Sequence, residues 1–144
     1  MFTVSGIHHV ALKACGKAAF DKTIQFYHDL LGLPMVRTWG EGDESAAMIG
    51  CGESLLEIFA NGDERFCEGA LRHIAFELDN VDECVERVRN AGYEITMEPA
   101  DICIPSEIPY PARIAFCVGP VGETVEFFCP KNKGLLKTTP VYNR

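Results

Sequence analysis

The sequence predicts an α+β protein in which two tandem βαβββ modules form a cupped, barrel-like mixed sheet. Three observations predict this fold. The segment that begins at Ile7 returns at Leu71, a shift of 71 − 7 = 64 residues. Each copy is followed by a stretch with apolar side chains at helical spacing. The segment that begins at Gly52 likewise returns at Gly122, near the end of each half, so a duplicated module explains how a short chain buries one shared core.

Each half reads as a strand, a helix and three further strands. In the first half we expect a strand at residues 7–12, a helix at 19–31 that ends at Gly32, and strands at 34–38, 45–49 and 52–59. In the second half we expect a strand at 71–76, a helix at 81–91 that ends at Gly92, and strands at 93–97, 112–118 and 122–128. The predicted domains are residues 1–65 and 66–130, followed by a C-terminal tail at 131–144.

The two halves differ at residues 99–111, which contain four prolines. Because proline has no amide hydrogen to donate, this segment cannot be a regular strand throughout. We predict a surface loop here, and the alternative is a partial lid or pocket wall over the functional site.

Composition and charge exclude several classes of protein. Hydrophobic residues make up 47% and charged residues 24% of the 144, which is typical of a folded domain. Lys and Arg total 13 against 21 Asp and Glu, and the net charge of −8 argues against nucleic-acid and membrane-surface partners. No apolar run reaches the roughly 18 residues of a membrane span, and the N-terminus lacks the order of a signal peptide. From these two features we expect a cytoplasmic protein. Seven cysteines without a CxxC motif favour free thiols that pack as small buried hydrophobes.

Two histidines and two glutamates occupy equivalent positions in the two halves. His9 and His73 lie in the first predicted strand of each half, and Glu57 and Glu126 lie in the last. Carboxylates among apolar residues are costly in a dry core, and one divalent cation held by two imidazoles and two carboxylates would compensate them. The alternative is that both glutamates point to solvent from half-exposed strands. His8 points to the face opposite His9 and is expected to be a packing residue.

Five segments of the chain resemble one protein family. They are GIHHVALK, TIQFYHDLLGLPMV, LLEIFANG, LRHIAFEL and GPVGETVEFF, and they span about residues 5 to 130. In these segments the sequence resembles the vicinal oxygen chelate superfamily, also called the glyoxalase/bleomycin-resistance/dioxygenase group. The resemblance implies paired βαβββ modules whose curled sheets form a cup around one divalent metal. It carries the ligand roles onto His9, Glu57, His73 and Glu126.

The order of these four residues is similar to that of glyoxalase I-like, or lactoylglutathione lyase-like, members. Bacterial glyoxalase I enzymes use His, Glu, His and Glu, whereas methylmalonyl-CoA epimerases usually have glutamine at the position of Glu57 and bleomycin-binding members lack the metal set. Asn61 matches an asparagine that contacts glutathione in that branch, and Lys13 stands where those enzymes carry a carboxylate-binding arginine. Because lysine lacks the bidentate fork, the resemblance leaves open whether the thiol co-substrate is glutathione. It also implies a homodimer, and the four ligands suit nickel, zinc, cobalt or manganese.

Together these features predict a metal-dependent lyase or isomerase that acts on a small α-hydroxycarbonyl or hemithioacetal. A metal that binds two adjacent substrate oxygens lowers the pKa of the neighbouring C–H bond and stabilises the enediolate that forms when the proton leaves. We expect Glu126 to be the catalytic base, with Glu57 as its partner or alternate, and Asn61 and Lys13 to bind substrate. Three alternatives stay open: a metal-dependent epimerase of an acyl thioester or a sugar, a non-catalytic protein that binds a ligand or an antibiotic, and a dioxygenase, which would require iron and O₂.

Overall fold

The computed structural model describes residues 7–63, 71–105 and 108–132. Contacts divide the chain into two compact units, residues 1–69 with 119–123 and residues 70–118 with 124–144. Each unit contains one strand, one helix and three further strands in the predicted order, so the α+β class and the duplicated βαβββ module are confirmed. The described strands form two open four-stranded sheets, one in each unit. The predicted boundary at 65/66 and most of the predicted tail lie outside the described residues.

The first unit contains a four-stranded mixed sheet. Its elements are β1 (His9–Lys13), α1 (Gly16–Ile24), a π-helical segment (Gln25–Leu30), β2 (Met35–Trp39), a 3-10 turn (Gly42–Glu44), β3 (Ala46–Cys51) and β4 (Ser54–Phe59). The strand order is β1-β4-β3-β2, in which β1 runs parallel to β4 and the other neighbours are antiparallel. After the helical segments Gly32 has a φ of +75°, which confirms the predicted left-handed end.

The second unit repeats this topology. Its elements are β5 (Ile74–Glu77), α2 (Val81–Asn90), β6 (Ile95–Ile104), β7 (Tyr110–Val118) and β8 (Thr124–Pro130). The strand order is β5-β8-β7-β6, and β5 runs parallel to β8. Asn80 caps α2, because its side chain accepts a hydrogen bond from the Glu83 backbone (3.1 Å) and donates one to the Glu83 carboxylate (3.2 Å). The helix ends before Gly92, whose φ of +91° confirms the second predicted left-handed end.

Most of the proline-rich segment lies in two paired strands and not in the predicted surface loop. Pro99 lies inside β6, and Pro111 lies in β7 opposite Cys103. Because β6 is the outer strand of its sheet and its register shifts between Met97 and Ala100, Pro99 lies where a missing amide hydrogen costs little. The loop prediction is therefore wrong for residues 99–104 and 110–111, and a lid formed by such a loop has no support in the described residues. Residues 106 and 107 lie outside them.

One face of each sheet packs in the core of its unit. In the first unit Leu56 and Ile58 of β4 are at most 3% exposed, and in the second Val125 and Phe127 of β8 are fully buried. Burying a side chain of this size contributes about 1.5–3 kcal/mol. Because successive side chains alternate across a strand, Glu57, between Leu56 and Ile58, points to the opposite face of its sheet.

Tyr27 makes a buried hydrogen bond in the first unit. Its side chain is fully buried, and its hydroxyl donates to Oε1 of Glu123 over 2.5 Å. The second carboxylate oxygen of Glu123 accepts from the backbone N–H of Val121 over 2.9 Å. Tyr27 therefore ties the helical segment of this unit to its residues 119–123.

We expect Tyr27→Phe to lower the free energy of unfolding by about 1.5–3 kcal/mol, because a hydrogen bond to a charged acceptor is lost. Urea-induced unfolding of both proteins measures this difference. Tyr110→Phe is the matched control, since the Tyr110 ring packs against Phe128 with a centroid distance of 6.0 Å and its hydroxyl makes no hydrogen bond within the described residues. An equal loss in the two variants would contradict a specific contribution from the Tyr27 hydroxyl.

Arg113 joins two other elements of the second unit through ion pairs. It donates to both carboxylate oxygens of Asp82 (2.5 and 2.6 Å) and to Asp101 (3.0 Å). Nζ of Lys131 lies 2.5 Å from Asp101 as well. The hydrogen bond from Arg113 lowers the pKa of Asp82, and those from Lys131 and then Arg113 lower the pKa of Asp101.

These lowered pKa values make the unfolding free energy depend on pH. A carboxyl group with a lower pKa in the folded state stabilises the fold above its unfolded pKa, and this contribution is lost as the pH falls through the folded pKa. We expect the unfolding free energy to decrease below about pH 4, and Arg113→Gln to flatten this part of the profile. Arg87→Gln is the control, because Arg87 makes no ion pair within the described residues. An unchanged slope in the Arg113 variant would count against the network.

No helix in the described ranges has both the length and the apolar character that crossing a bilayer requires. The six cysteines among the described residues are free thiols, as predicted, and Cys67 lies outside these residues. The prediction of buried thiols holds for Cys117 and is wrong for the exposed Cys15 and Cys103, because Cys15 lies at the start of α1 and Cys103 near the end of the outer strand β6. Burial raises the pKa of the Cys84 thiol to about 11.

Candidate functional site

The first unit brings His9 and Glu57 together. His9 begins the edge strand β1, and Glu57 lies on the neighbouring parallel strand β4. His9 Nε2 lies 3.4 Å from Glu57 Oε2. The imidazole is 40% exposed and the carboxylate 14%, so the pair is open to solvent at its histidine and sheltered at its glutamate.

The second unit brings His73 and Glu126 together in the same way. His73 immediately precedes β5, and Glu126 lies on the parallel strand β8, with Nε2 and Oε2 3.1 Å apart. The carboxylate of Glu126 is only 10% exposed and the imidazole of His73 is 44% exposed. Burial raises the pKa of Glu126, and the nearby His73 opposes this effect without cancelling it.

The two pairs are equivalent in detail. In each unit the residue opposite the glutamate is an alanine two positions after the histidine: Ala11 faces Glu57, and Ala75 faces Glu126. A methyl side chain at this position leaves room for the carboxylate beside the imidazole. Within residues 7–63, 71–105 and 108–132, no three His, Cys, Asp or Glu side chains are close enough to bind one metal ion. The structure thus brings the predicted ligands together two by two, one pair in each unit.

His8 does not pack in the core as expected. It is exposed, and its ring lies edge-on to the His9 ring with centroids 5.2 Å apart. The Nδ1 atoms of the two histidines are 2.9 Å apart, so one ring donates and the other accepts. The prediction is wrong because β1 begins only at His9, so His8 precedes the strand and does not follow its alternation of faces.

The two predicted substrate-binding residues lie near one end of the first sheet. Lys13 ends β1, where it is opposite Phe59, and it is exposed. Asn61 forms a single bridge with Cys15, just beyond this end, and its side-chain amide lies 3.5 Å from a Glu44 carboxylate oxygen. Within the described residues neither side chain makes a hydrogen bond or an ion pair with His9 or Glu57, and their role in substrate binding stays a prediction.

Arg37 and Trp39 share the face of Glu57, which the sequence did not reveal. Arg37 on β2 is opposite Met48 on β3, and Met48 is opposite Glu57 on β4. Directly paired residues point to the same side of a sheet. The Trp39 ring lies on this face too, because it packs edge-to-face against Phe59 with centroids 6.2 Å apart, and Phe59 shares the face of Glu57. Alternation along β2 relates Arg37 to Trp39, but only the strand order and register reveal that they face Glu57.

Comparisons with known proteins agree with this architecture. The model of the Glyoxalase/Bleomycin resistance protein/Dioxygenase superfamily matches residues 6–108. The lactoylglutathione lyase of Salmonella typhimurium is 34% identical over 123 residues, which are 79% of this chain and 87% of that protein.

Two solved structures are similar to this chain in fold. The crystal structure of lactoylglutathione lyase from Agrobacterium tumefaciens has a TM-score of 0.62 and 24% identity and covers 93% of this chain and 100% of its own. The fosfomycin resistance protein FosX from Listeria monocytogenes, crystallised with Mn(II) and a dihydroxypropylphosphonic acid, has a TM-score of 0.66 and 19% identity and covers 87% and 90%. Proteins named for different activities therefore share this fold.

Proposed function

This chain belongs to the Glyoxalase/Bleomycin resistance protein/Dioxygenase superfamily, and on that basis we propose that it is a divalent-metal-dependent lyase or isomerase of the glyoxalase I type. The proposed substrate is a small α-hydroxycarbonyl or hemithioacetal. The observation that carries the proposal is the repeated pair of one imidazole and one sheltered carboxylate, His9 with Glu57 and His73 with Glu126.

The geometry of each pair fits two ligands of one metal ion. Imidazole nitrogen and carboxylate oxygen bind such metals at about 2.0–2.2 Å, so two neighbouring donor atoms lie about 2.9–3.5 Å apart. The separations of 3.4 Å and 3.1 Å fall in this range. Two imidazoles and two carboxylates also balance a divalent charge and suit nickel, zinc, cobalt or manganese. We propose that His9, Glu57, His73 and Glu126 hold this ion.

The chain's own residues would move the proton. A bound divalent metal would supply Lewis-acid polarisation of two adjacent substrate oxygens, which makes the neighbouring C–H bond more acidic. Glu126 would take the proton from one carbon and return it to the next, because a positioned carboxylate can accept and release a proton and this one is only 10% exposed. Glu57, at the equivalent position of the first unit, would be its partner or alternate.

The curated relatives support a hemithioacetal substrate, because relatives at 32% and 34% identity are named lactoylglutathione lyase. Two residues bear on whether the thiol is glutathione. Lys13 carries a positive charge without the planar fork that binds a carboxylate through two hydrogen bonds, and the Asn61 amide lies near Glu44. We therefore propose a thiol co-substrate, for which glutathione and simpler thiols are the candidates.

Metal analysis followed by turnover assays tests this function. The protein is purified without added metal, analysed for bound metals, stripped with a chelator and reloaded separately with nickel, cobalt, manganese or zinc. Methylglyoxal is then supplied with glutathione, 2-mercaptoethanol or 3-mercaptopropionate, and NMR follows formation of the 2-hydroxyacyl thioester. We expect product only with metal-loaded protein. Loss of activity on stripping and its return on reloading support the proposal.

The same preparation separates the alternatives. Solvent deuterium that enters an acyl thioester or a sugar, without isomerisation of any hemithioacetal, would favour an epimerase. Protein that binds no metal and turns over no substrate would favour a non-catalytic binding protein. The homodimer and the cytoplasmic location expected from the sequence stay predictions, and size measurement of the metal-loaded protein tests the first of them.

A further inference from the structure

The sheet face that carries His9 and Glu57 also carries two cations. Arg37, Met48 and Glu57 lie in one row across β2, β3 and β4, because each is directly opposite the next. Lys13 lies in the adjacent row, opposite Phe59. Positive charge therefore lies on both sides of the candidate ligand pair, at the β2 edge and at the end of β1.

Arg37 is within reach of a substrate held at the pair. Neighbouring strands are about 4.8 Å apart, so the Cα atoms of Arg37 and Glu57 are separated by about 10 Å. The long arginine side chain covers part of this distance. A charged group a few bonds from the reacting carbons of a substrate would thus meet the guanidinium.

Neither cation is neutralised within the part of the chain that the structure describes. Arg37 and Lys13 make no ion pair and no side-chain hydrogen bond there. Arg89 and Arg113, by contrast, are each paired with two carboxylates. In a chain with 21 acidic residues, two unpaired cations on the face of a candidate site are available for an anionic ligand. Lys22 on α1 is exposed and equally unpaired, and it provides a control.

An aromatic surface lies beside these cations. Trp39 is 42% exposed and packs edge-to-face on Phe59. Trp39 lies two residues after Arg37 on β2, and Phe59 lies two residues after Glu57 on β4. An exposed indole on a sheet face provides a contact for an apolar or aromatic group. The face therefore combines a candidate metal-binding pair, two cations without an ion-pair partner among the described residues, and an apolar contact surface.

We propose that Arg37 binds a carboxylate of the substrate, while Trp39 and Phe59 contact the apolar part that joins this carboxylate to the reacting carbons. The inference rests on the proposed function and narrows its substrates to anionic hemithioacetals. The carboxylate belongs either to the thiol or to the carbonyl part of the hemithioacetal. Arginine suits this role because its planar guanidinium donates two parallel hydrogen bonds to a carboxylate.

Matched substrates test the inference by kinetics. Methylglyoxal with 3-mercaptopropionate has its charge on the thiol, 4-carboxyphenylglyoxal with 2-mercaptoethanol has it on the carbonyl part, and methylglyoxal or phenylglyoxal with 2-mercaptoethanol is neutral. We expect Arg37→Gln to raise KM about tenfold or more for one charged substrate, with kcat and the neutral substrates unchanged. The affected substrate identifies the part that carries the charge. Lys22→Gln, which removes the same charge from the same unit, should leave every KM unchanged.

Binding without turnover gives a second readout. Trp39 is the single tryptophan of the chain, so its fluorescence reports ligands on this face. The probes are S-methylglutathione and 3-(methylthio)propionate, which are anionic thioethers; 4-carboxybenzyl alcohol, which models the charged carbonyl part; and 2-(methylthio)ethanol, which is neutral. We expect Arg37→Gln to weaken binding of at least one anionic probe about tenfold, and Arg37→Lys to restore part of the loss. Added salt should weaken binding of the same probe to the wild-type protein.

The two readouts separate failure of the inference from failure of the proposed function. Binding that depends on Arg37, in a protein that turns over no hemithioacetal, would reject the function and keep the anion site. Turnover with wild-type KM values in Arg37→Gln, together with wild-type binding of every probe, would overturn the inference and keep the function. An equal rise of KM for neutral and charged substrates would also overturn it, because it would show a general structural effect.

Discussion

Glutamine in place of Glu126 is expected to lower kcat of the metal-loaded protein about 100- to 10,000-fold, the contribution of a positioned proton-transfer group. Glutamine keeps the size and an oxygen atom of glutamate, but it cannot accept the proton. The side chain has little room to move, because it is 10% exposed and lies 3.1 Å from His73 Nε2. Kinetics at saturating metal measure the effect on the chemical step, and metal analysis of the same sample shows whether the ion is retained.

Two further variants make this result specific to Glu126. Glu94→Gln is the matched control, because Glu94 is an exposed glutamate of the same unit outside the site, and its activity should equal that of the wild type. Glu57→Gln tests the alternate base, since Glu57 has the equivalent position in the first unit. Full turnover of Glu126→Gln with metal bound would reject Glu126 as the base, and a larger loss in Glu57→Gln would transfer the role to Glu57.

The duplicated architecture and the candidate pairs could be predicted because the same pattern of residues occurs in both halves of the sequence. Each half has a histidine near its first strand and a glutamate in its last, and the structure brings His9 to Glu57 and His73 to Glu126. The glycines after the helices are equally local signals, because only glycine adopts a positive φ at low cost. Periodicity and backbone stereochemistry determine these features, so the sequence alone predicts them.

Features that depend on distant partners could not be predicted. Helix α1 begins at Gly16, three residues before its predicted start, where the backbone N–H of Lys17 is satisfied by Asp43 from a later turn (2.8 Å). Strand β6 accommodates Pro99 because it is the outer strand with an irregular register. Arg37 joins the site face only through the pairing of three strands. Strand order and register follow from tertiary contacts, which a single sequence does not reveal.

Alanine in place of His9 or His73 is expected to weaken metal binding to a similar extent, by more than about 100-fold, because loss of a residue that only supports a ligand already costs about 10- to 100-fold. The two effects should match because the pairs are equivalent, down to the alanine opposite each glutamate. Competition with a chelator measures the affinity for nickel or zinc. His28→Asn is the control, since asparagine can still donate a hydrogen bond to the Leu33 carbonyl that the His28 ring contacts (2.7 Å).

Strong loss in only one of the two histidine variants would show that a single unit dominates binding, and the four-ligand set would then be wrong. If both variants are inactive, mixing them distinguishes two ways of building the site. In the first, each site takes one pair from each of two chains. A mixed dimer then regains one intact site, formed by the second unit of the His9 variant and the first unit of the His73 variant. When both pairs belong to one chain, neither chain has an intact site and mixing restores nothing. Because the two pairs are equivalent, recovery of activity on mixing depends only on whether one chain or two chains supply the pairs of a site.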